Sequence, residues 1–168
     1  MAMTRIRTRL RRFAGDDQGV AMIEFALSLP LLILLFGVVI EGARTMWSFQ
    51  KAAEGVREAT RYLARITPTD ICATGGSVAG QDATMTTMIA QSLSGVNIHP
   101  QLVTIVDVAP TLKCVAASTP LGVSPTPVAQ ITATFAIQHP FAPLLRWFGD
   151  YGDAVTVVFA EESRIYGQ

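Results

Sequence analysis

The stretch that decides the fold of this chain is VAMIEFALSLPLLILLFGVVI, which runs from Val20 to Ile40. Its only charged residue is Glu24, and its only proline is Pro30. A helix of about 20 apolar residues is long enough to cross a membrane. A removable secretory signal peptide is the alternative, but the apolar core of such a peptide is only about 7–15 residues long. We therefore predict a transmembrane helix over residues 20–40.

The residues ahead of this stretch are strongly basic. Five of the 13 Lys and Arg residues lie close to the N-terminus, and these are Arg5, Arg7, Arg9, Arg11 and Arg12. Positive charge beside an apolar segment stays on the cytoplasmic side of the membrane. We therefore expect residues 1–19 to be a basic cytoplasmic leader. The rest of the chain is mildly acidic and has no basic patch, so we expect no nucleic-acid partner.

After Glu41 the apolar residues recur every three or four positions, which indicates an amphipathic helix. The predicted apolar face consists of Ala43, Met46, Trp47, Ala53, Val56, Thr60, Leu63 and Ile66. The opposite face is expected to be solvated and carries Arg44, Lys51, Glu54, Glu58, Arg61 and Arg65. Pro68 cannot continue the helix and restrains the residue before it. We therefore predict that the transmembrane helix continues into an amphipathic extension over residues 41–66.

Residues 67–168 are predicted to form an extracytoplasmic α+β domain. Residues 67–80 have the composition of a loop, and the apolar spacing after them indicates a short helix that stops near Gly95. Segments rich in Val, Ile, Thr and Phe predict three strands, and these are Leu102–Val108, Val128–Gln138 and Ala154–Ser163. Residues 109–127 contain several prolines and are expected to form a surface loop. The predicted fold class is thus α+β, with a long N-terminal helix packed on a small antiparallel sheet of about three strands.

The two cysteines of the chain, Cys72 and Cys114, fall in the two predicted loops. In an oxidising compartment they would form a disulfide, and two buried free thiols are the alternative. His99 and His139 each precede a proline, and there is no C-x-x-C pair, so we expect no metal site. The sequence has no G-x-S-x-G or H-E-x-x-H motif and no P-loop lysine. We therefore expect no catalytic centre, no enzyme activity and no cofactor.

Glu24 needs an explanation, because a charged residue at the centre of a membrane costs about 2.5–3.5 kcal/mol. It has no basic residue at helical spacing. In one interpretation its side chain reaches the membrane surface, since it lies about 7 Å along a helix from Gly19. In the other, a cut between Gly19 and Val20 creates an α-amino group with a pKa of about 8, which is mostly protonated at neutral pH. Glu24 would then pair with that amine in its own or a neighbouring subunit.

The segment GVAMIEFAL, residues 19–27, resembles a known family when it is taken together with Pro30, the apolar run and the basic leader. That family is the Flp/Tad class of type IV pilins, and the resemblance is closest to its TadE-like pseudopilins, or minor pilins. It covers about residues 15–65. The proline-rich apolar segment HPFAPLL, residues 139–145, is also similar to the family.

The resemblance implies that a prepilin peptidase cuts the chain after Gly19, so that Val20 becomes the first residue of the mature protein. It also implies that Glu24, at the fifth mature position, and the following Phe25 form part of the pattern that the peptidase recognises. Gly15 is a competing cut, but it would put Val20 rather than the glutamate at the fifth position. The implied processing site is therefore Gly19 and Val20.

The resemblance further implies a subunit for the assembly of a Flp, or tight adherence, type IV pilus. Major pilins of this class are little more than the helix, so the additional domain implies an accessory subunit. The implied partners are the prepilin peptidase, other pilin and pseudopilin subunits, the inner-membrane assembly platform and membrane lipid. The implied location is the bacterial inner membrane, with one span, a cytoplasmic N-terminus and a periplasmic C-terminal domain, and the extracellular pilus after assembly.

Two further points stay open from the sequence. Pro30 removes the helical hydrogen bond to the Ala26 carbonyl and is expected to kink the helix, which membrane helices tolerate when neighbouring helices compensate. The kink either eases transfer of the subunit from lipid into a filament or has no function. A different class of protein, an uncleaved single-pass periplasmic binding or scaffold protein of an envelope secretion system, would keep its leader.

Overall fold

The computed structural model describes residues 17–94, 102–116, 125–147 and 149–167. In chain order the elements are α1 (Asp17–Ile66), α2 (Ile71–Thr74), a 3-10 turn (Ala79–Gln81), α3 (Asp82–Ser94), β1 (Val103–Val115), β2 (Thr126–Gln138), α4 (Ala142–Leu145) and β3 (Ala154–Arg164). The predicted α+β fold class is confirmed. The basic part of the predicted leader and the predicted helix stop at Gly95 lie outside the described residues.

The chain divides into two compact units, Met1–Glu41 and Gly42–Gln168. In the first unit, most large apolar side chains between Val20 and Ile40 have exposed fractions between 41% and 77%. These residues follow one another along the chain, so they lie on all sides of α1. A helix that is apolar all round belongs in a membrane or in a protein core. Its length and composition are sufficient for a single membrane span.

The second unit contains an antiparallel sheet with the strand order β1-β2-β3. The burial of β2 alternates residue by residue, as its sequence predicts. Its buried face carries Ala129, Ile131, Ala133, Phe135 and Ile137, all with no exposed surface. The residues between them lie on the outer face. One face of the sheet is therefore apolar and covered.

The core of the second unit joins this face of β2 to two helices. The α1 residues in the core cluster are Ala52, Val56, Ala59, Leu63 and Ala64, and the α3 residues are Met85 and Ile89. Two threonines are also buried on the helical side. The Thr60 hydroxyl donates to the Val56 carbonyl at 2.7 Å, and the Thr67 hydroxyl donates to the Leu63 carbonyl at 2.7 Å. These bonds satisfy the hydroxyl groups and remove the penalty of burying them.

The apolar face predicted for the second half of α1 is only partly correct. Val56, Thr60 and Leu63 are buried as predicted. Four other members of the predicted face are exposed, and these are Ala43, Met46, Trp47 and Ile66. The buried stripe instead consists of Ala52, Val56, Ala59 and Leu63, which follow one another at spacings of four, three and four residues. Several alanines follow each other in this part of the sequence, so composition alone does not fix which of them face the core.

The prediction of a loop over residues 109–127 is wrong for most of the residues that the structure describes there, 109–116 and 125–127. Strand β1 continues to Val115, and β2 begins at Thr126. Pro110 lies within β1 and does not interrupt it, because β1 is at the edge of the sheet, where a missing N–H group is tolerated. Pro127 is the second residue of β2, close to a strand start, where proline also occurs. The two strands are therefore longer than the prolines suggest. Residues 117–124 lie outside the described part.

The loop predicted for residues 67–80 also contains structure, namely α2 and the start of the 3-10 turn. Gly75 ends α2 with a φ of 69°, in the left-handed region that glycine adopts without strain. Cys72 lies in α2 and Cys114 lies in β1, so neither cysteine is in a loop. A disulfide joins them, with a Cα–Cα distance of 5.9 Å. It ties the segment after α1 to an edge strand of the sheet.

The residues after β3 connect the sheet to the end of α1. The Ile165 N–H donates to the Pro127 carbonyl at 3.0 Å, and the Tyr166 N–H donates to the Ala64 carbonyl at 3.2 Å. Ile165 is buried with the core residues. The C-terminal segment thus contacts both the central strand and the helix.

Candidate processing and assembly segment

The peptide bond between Gly19 and Val20 lies near the N-terminal end of the described part of α1, which is Asp17–Ile66. Glycine weakens a helix by about 1 kcal/mol relative to alanine. Among the described residues, no atom lies within 4 Å of a β-carbon built at Gly19. Within the described residues, no side chain and no distant backbone therefore packs against Gly19.

Glu24 lies one turn further along α1 and is exposed. Within residues 17–94 and the other described ranges, no side chain forms a hydrogen bond or ion pair with its carboxylate. The nearby Ser28 hydroxyl donates to the Phe25 carbonyl at 3.0 Å and so is not directed at Glu24. A charge partner for Glu24 must therefore come from water, from lipid headgroups, from residues outside the described part or from another chain.

The side chains around this carboxylate are apolar. Phe25 is 61% exposed, and the neighbouring Met22 and Leu27 are 77% and 75% exposed. A carboxylate surrounded by apolar side chains is unfavourable in lipid unless a cation neutralises it. The arrangement can therefore provide one anionic contact on an otherwise apolar helix.

Pro30 lies inside α1, and the helix continues beyond it to Ile66. Proline has no N–H group, so the Ala26 carbonyl has no helical donor at this turn. The predicted kink and its role in leaving the membrane stay predictions.

The charged residues of β3 do not form a pair that could share a proton. Adjacent strand residues point to opposite faces, and the structure gives them different partners. Glu161 accepts from Arg57 of α1 at 3.3 Å, whereas Glu162 pairs with Lys113 of β1 at 2.5 Å. All four side chains are partly exposed, so each pair contributes little to stability, about 0–1 kcal/mol. These carboxylates therefore link β3 to α1 and to β1 and do not form a catalytic pair.

His139 is the one described histidine, since His99 lies outside the described residues. Its ring contacts Tyr151 edge to face, with 5.2 Å between ring centroids. Within the described part of the chain, no group of three or more His, Cys, Asp and Glu residues is placed to hold a metal ion.

A surface that the sequence did not single out as a site follows β2. Phe141, Leu144 and Trp147 are exposed at three-residue spacing, with Trp147 at 88%. Together with Pro140 and Pro143 they line a shallow open pocket. The three-residue spacing of these large apolar residues was visible in the sequence. It did not predict an exposed surface, because the same spacing is equally typical of a buried helical turn.

Comparison with known proteins gives one family. The model of the family described as TadE-like protein matches residues 19–61. The resemblance inferred from the motif is confirmed over this segment, which contains Gly19, Glu24 and Pro30, and the match relates the chain to Tad pilus systems. No curated protein and no solved structure matches the chain. The sheet thus lies outside the matched segment.

Proposed function

We propose that this chain, which carries a TadE-like segment over residues 19–61, is a pseudopilin or minor pilin that supports assembly of a Flp, or tight adherence, pilus. The observation that carries the proposal is an exposed helix that is apolar on all sides from Val20 onward, directly after Gly19, and that bears one charge in its apolar part, Glu24. The role is structural rather than catalytic. Its partners are other pilin-like helices, the inner-membrane assembly platform and membrane lipid.

The proposed processing step is a cut by a prepilin peptidase after Gly19. The basic leader stays on the cytoplasmic side because of its positive charge, so the cut would take place there and the second unit would lie in the periplasm. The free space beside Gly19 within the described residues supports access to this bond. The cut leaves Val20 with a protonated amine about 6 Å along the helix axis from Glu24.

The proposed assembly step uses that amine and the carboxylate. When processed helices stagger in a filament, the Glu24 carboxylate of one subunit meets the Val20 amine of the next. The surrounding apolar side chains exclude water, and a lower dielectric strengthens the attraction between opposite charges. The pair thereby sets the register of neighbouring helices, while the exposed apolar side chains supply the packing.

The first experiment measures the intact mass and the N-terminal residue of the membrane-extracted protein, with and without its prepilin peptidase. We expect a start at Val20 only when the peptidase is present. A Gly19→Ala variant should stay uncut, and the matched Gly15→Ala variant should be cut normally. An intact N-terminus under both conditions would overturn the processing step and favour a permanently anchored envelope protein.

The second experiment tests the charge itself. Glu24→Gln keeps the shape of the side chain and removes its charge, so we expect normal membrane insertion and a loss of piliation. Glu58→Gln on the exposed polar side of the same helix is the matched control and should assemble normally. Normal piliation with Glu24→Gln would show that no ion pair with Glu24 is needed for assembly.

A further inference from the structure

The segment that links β2 to β3 folds into a small lobe with two different sides. Ala142 and Leu145 point into the protein and are buried, with exposed fractions of 0% and 9%. Phe141, Leu144 and Trp147 alternate with them and point outwards. We call these three residues the apolar patch. The fold therefore keeps three large apolar side chains exposed, although burial of such side chains is favourable.

The lobe around the patch is held in place by several bonds. The Arg146 guanidinium is bound to the Asp153 carboxylate at 2.5 Å and to the Tyr151 carbonyl at 3.1 Å. The His139 N–H donates to the Asp153 carbonyl at 2.7 Å. Because these bonds fix both ends of the lobe, the exposure of the patch is a feature of the fold.

The position of the lobe within the second unit suggests what covers the patch. The Arg44 guanidinium donates to the Gln138 carbonyl at 2.6 Å, so the end of β2 lies beside Arg44. Arg44 is the third residue of the second unit, which begins at Gly42. It follows Ile40, the last residue of the apolar stretch, by only about 6 Å of helix. The patch therefore lies at the same end of the second unit as Gly42, the first residue of that unit.

Two more apolar residues are exposed at the same end. Met46 and Trp47 lie within one helical turn after Arg44, with exposed fractions of 58% and 40%. Both tryptophans of the chain are thus exposed at this end of the second unit. Tryptophan concentrates where protein crosses the interface between lipid and water, because its large ring is apolar and its N–H group is polar.

We propose that the apolar patch, Phe141, Leu144 and Trp147, inserts into the interfacial layer of the same membrane that holds the apolar helix. This inference rests on the proposed membrane anchoring. Insertion is driven by apolar burial, since the one cation of the lobe, Arg146, is already paired with Asp153 and the nearby Asp150 is acidic and exposed. The patch should therefore bind zwitterionic and anionic lipid equally well.

The test uses the full chain with Trp47→Phe, which leaves Trp147 as the only tryptophan. The variant is reconstituted into phosphatidylcholine vesicles, with and without anionic lipid, and its fluorescence is quenched either by lipids brominated near the headgroup or by aqueous iodide. We expect strong quenching by the brominated lipid, weak quenching by iodide and no dependence on the anionic lipid. The negative control carries Trp47→Phe, Trp147→Phe and Val158→Trp, and its probe on the outer face of the sheet should respond to iodide alone.

The outcomes separate this inference from the anchoring on which it rests. Failure of the chain to float with the vesicles would contradict the anchoring itself. Flotation with Trp147 open to iodide and not quenched by lipid would overturn membrane insertion of the patch. Protection of Trp147 from both quenchers that disappears on dilution of the protein in the membrane would also overturn it, and would assign the patch to a contact with a second copy.

Discussion

At the scale of single residues, Gly167 has no room for a side chain. A β-carbon built there would overlap the carbonyl oxygens of Arg65 and Thr67 at the end of α1. These atoms belong to the backbone and cannot move aside as a flexible side chain can. Gly167→Ala must therefore push the C-terminal segment away and weaken the bond from the Tyr166 N–H to the Ala64 carbonyl.

We expect Gly167→Ala to lower the free energy of unfolding by about 1–3 kcal/mol, the usual cost of overpacking. The measurement is a urea unfolding curve of the second unit's far-UV signal with the full chain in micelles. Gly149→Ala is the matched control, because no atom of the described residues lies within 4 Å of a β-carbon at that position. Equal midpoints for the two variants would contradict the packing argument.

Single residues also show which features of the site can be predicted from the sequence. Gly19, Glu24 and Pro30 stand out because each conflicts with an apolar helix through its own chemistry, whatever lies around it. The constraint at Gly167 and the exposure of Trp147 depend on how distant parts of the chain pack. No local pattern in the sequence contains that information.

At the scale of elements, β2 carries the core of the second unit on one face. Ile131 is fully buried on this face, whereas Val158 of the neighbouring strand is 61% exposed on the other. Ile131→Ala should lower the free energy of unfolding by about 2–5 kcal/mol, since it removes buried methyl groups and leaves a cavity. Val158→Ala should change it by no more than about 0.5 kcal/mol. The same urea curves measure both, and a similar loss in the two variants would mean that the outer face is also covered.

Elements differ in how well the sequence predicts them. The alternation in β2 was predictable because a strand repeats every two residues, so one register places every apolar residue on one side. The buried stripe of α1 was only partly predictable, since alanines at positions 52, 53 and 59 satisfy more than one helical face. The ends of β1 and β2 were missed because their prolines suggest a loop, and only the edge position of β1 shows that Pro110 is tolerated there.

At the scale of the whole molecule, the disulfide between Cys72 and Cys114 links two elements that are 42 residues apart in sequence. A cross-link over a loop of this size stabilises a fold by about 3–4 kcal/mol when its effect is counted as lost entropy of the unfolded chain. Such bonds persist outside the cytoplasm and are rare within it. The bond is therefore a structural constraint, and its oxidation state in the cell tests the orientation of the chain.

If the second unit lies in the periplasm, protein extracted from membranes under alkylating conditions should show no alkylated cysteine until it is reduced. The Cys72→Ser variant is the matched control, since its remaining Cys114 should then react with the reagent once the protein is denatured. The double variant Cys72→Ser and Cys114→Ser should insert normally but unfold at lower urea, with a loss of about 2–4 kcal/mol. Alkylation of both cysteines in the unreduced wild-type protein would place the sheet on the cytoplasmic side, because only a reducing compartment would leave this pair open in a fold that brings its Cα atoms within 5.9 Å.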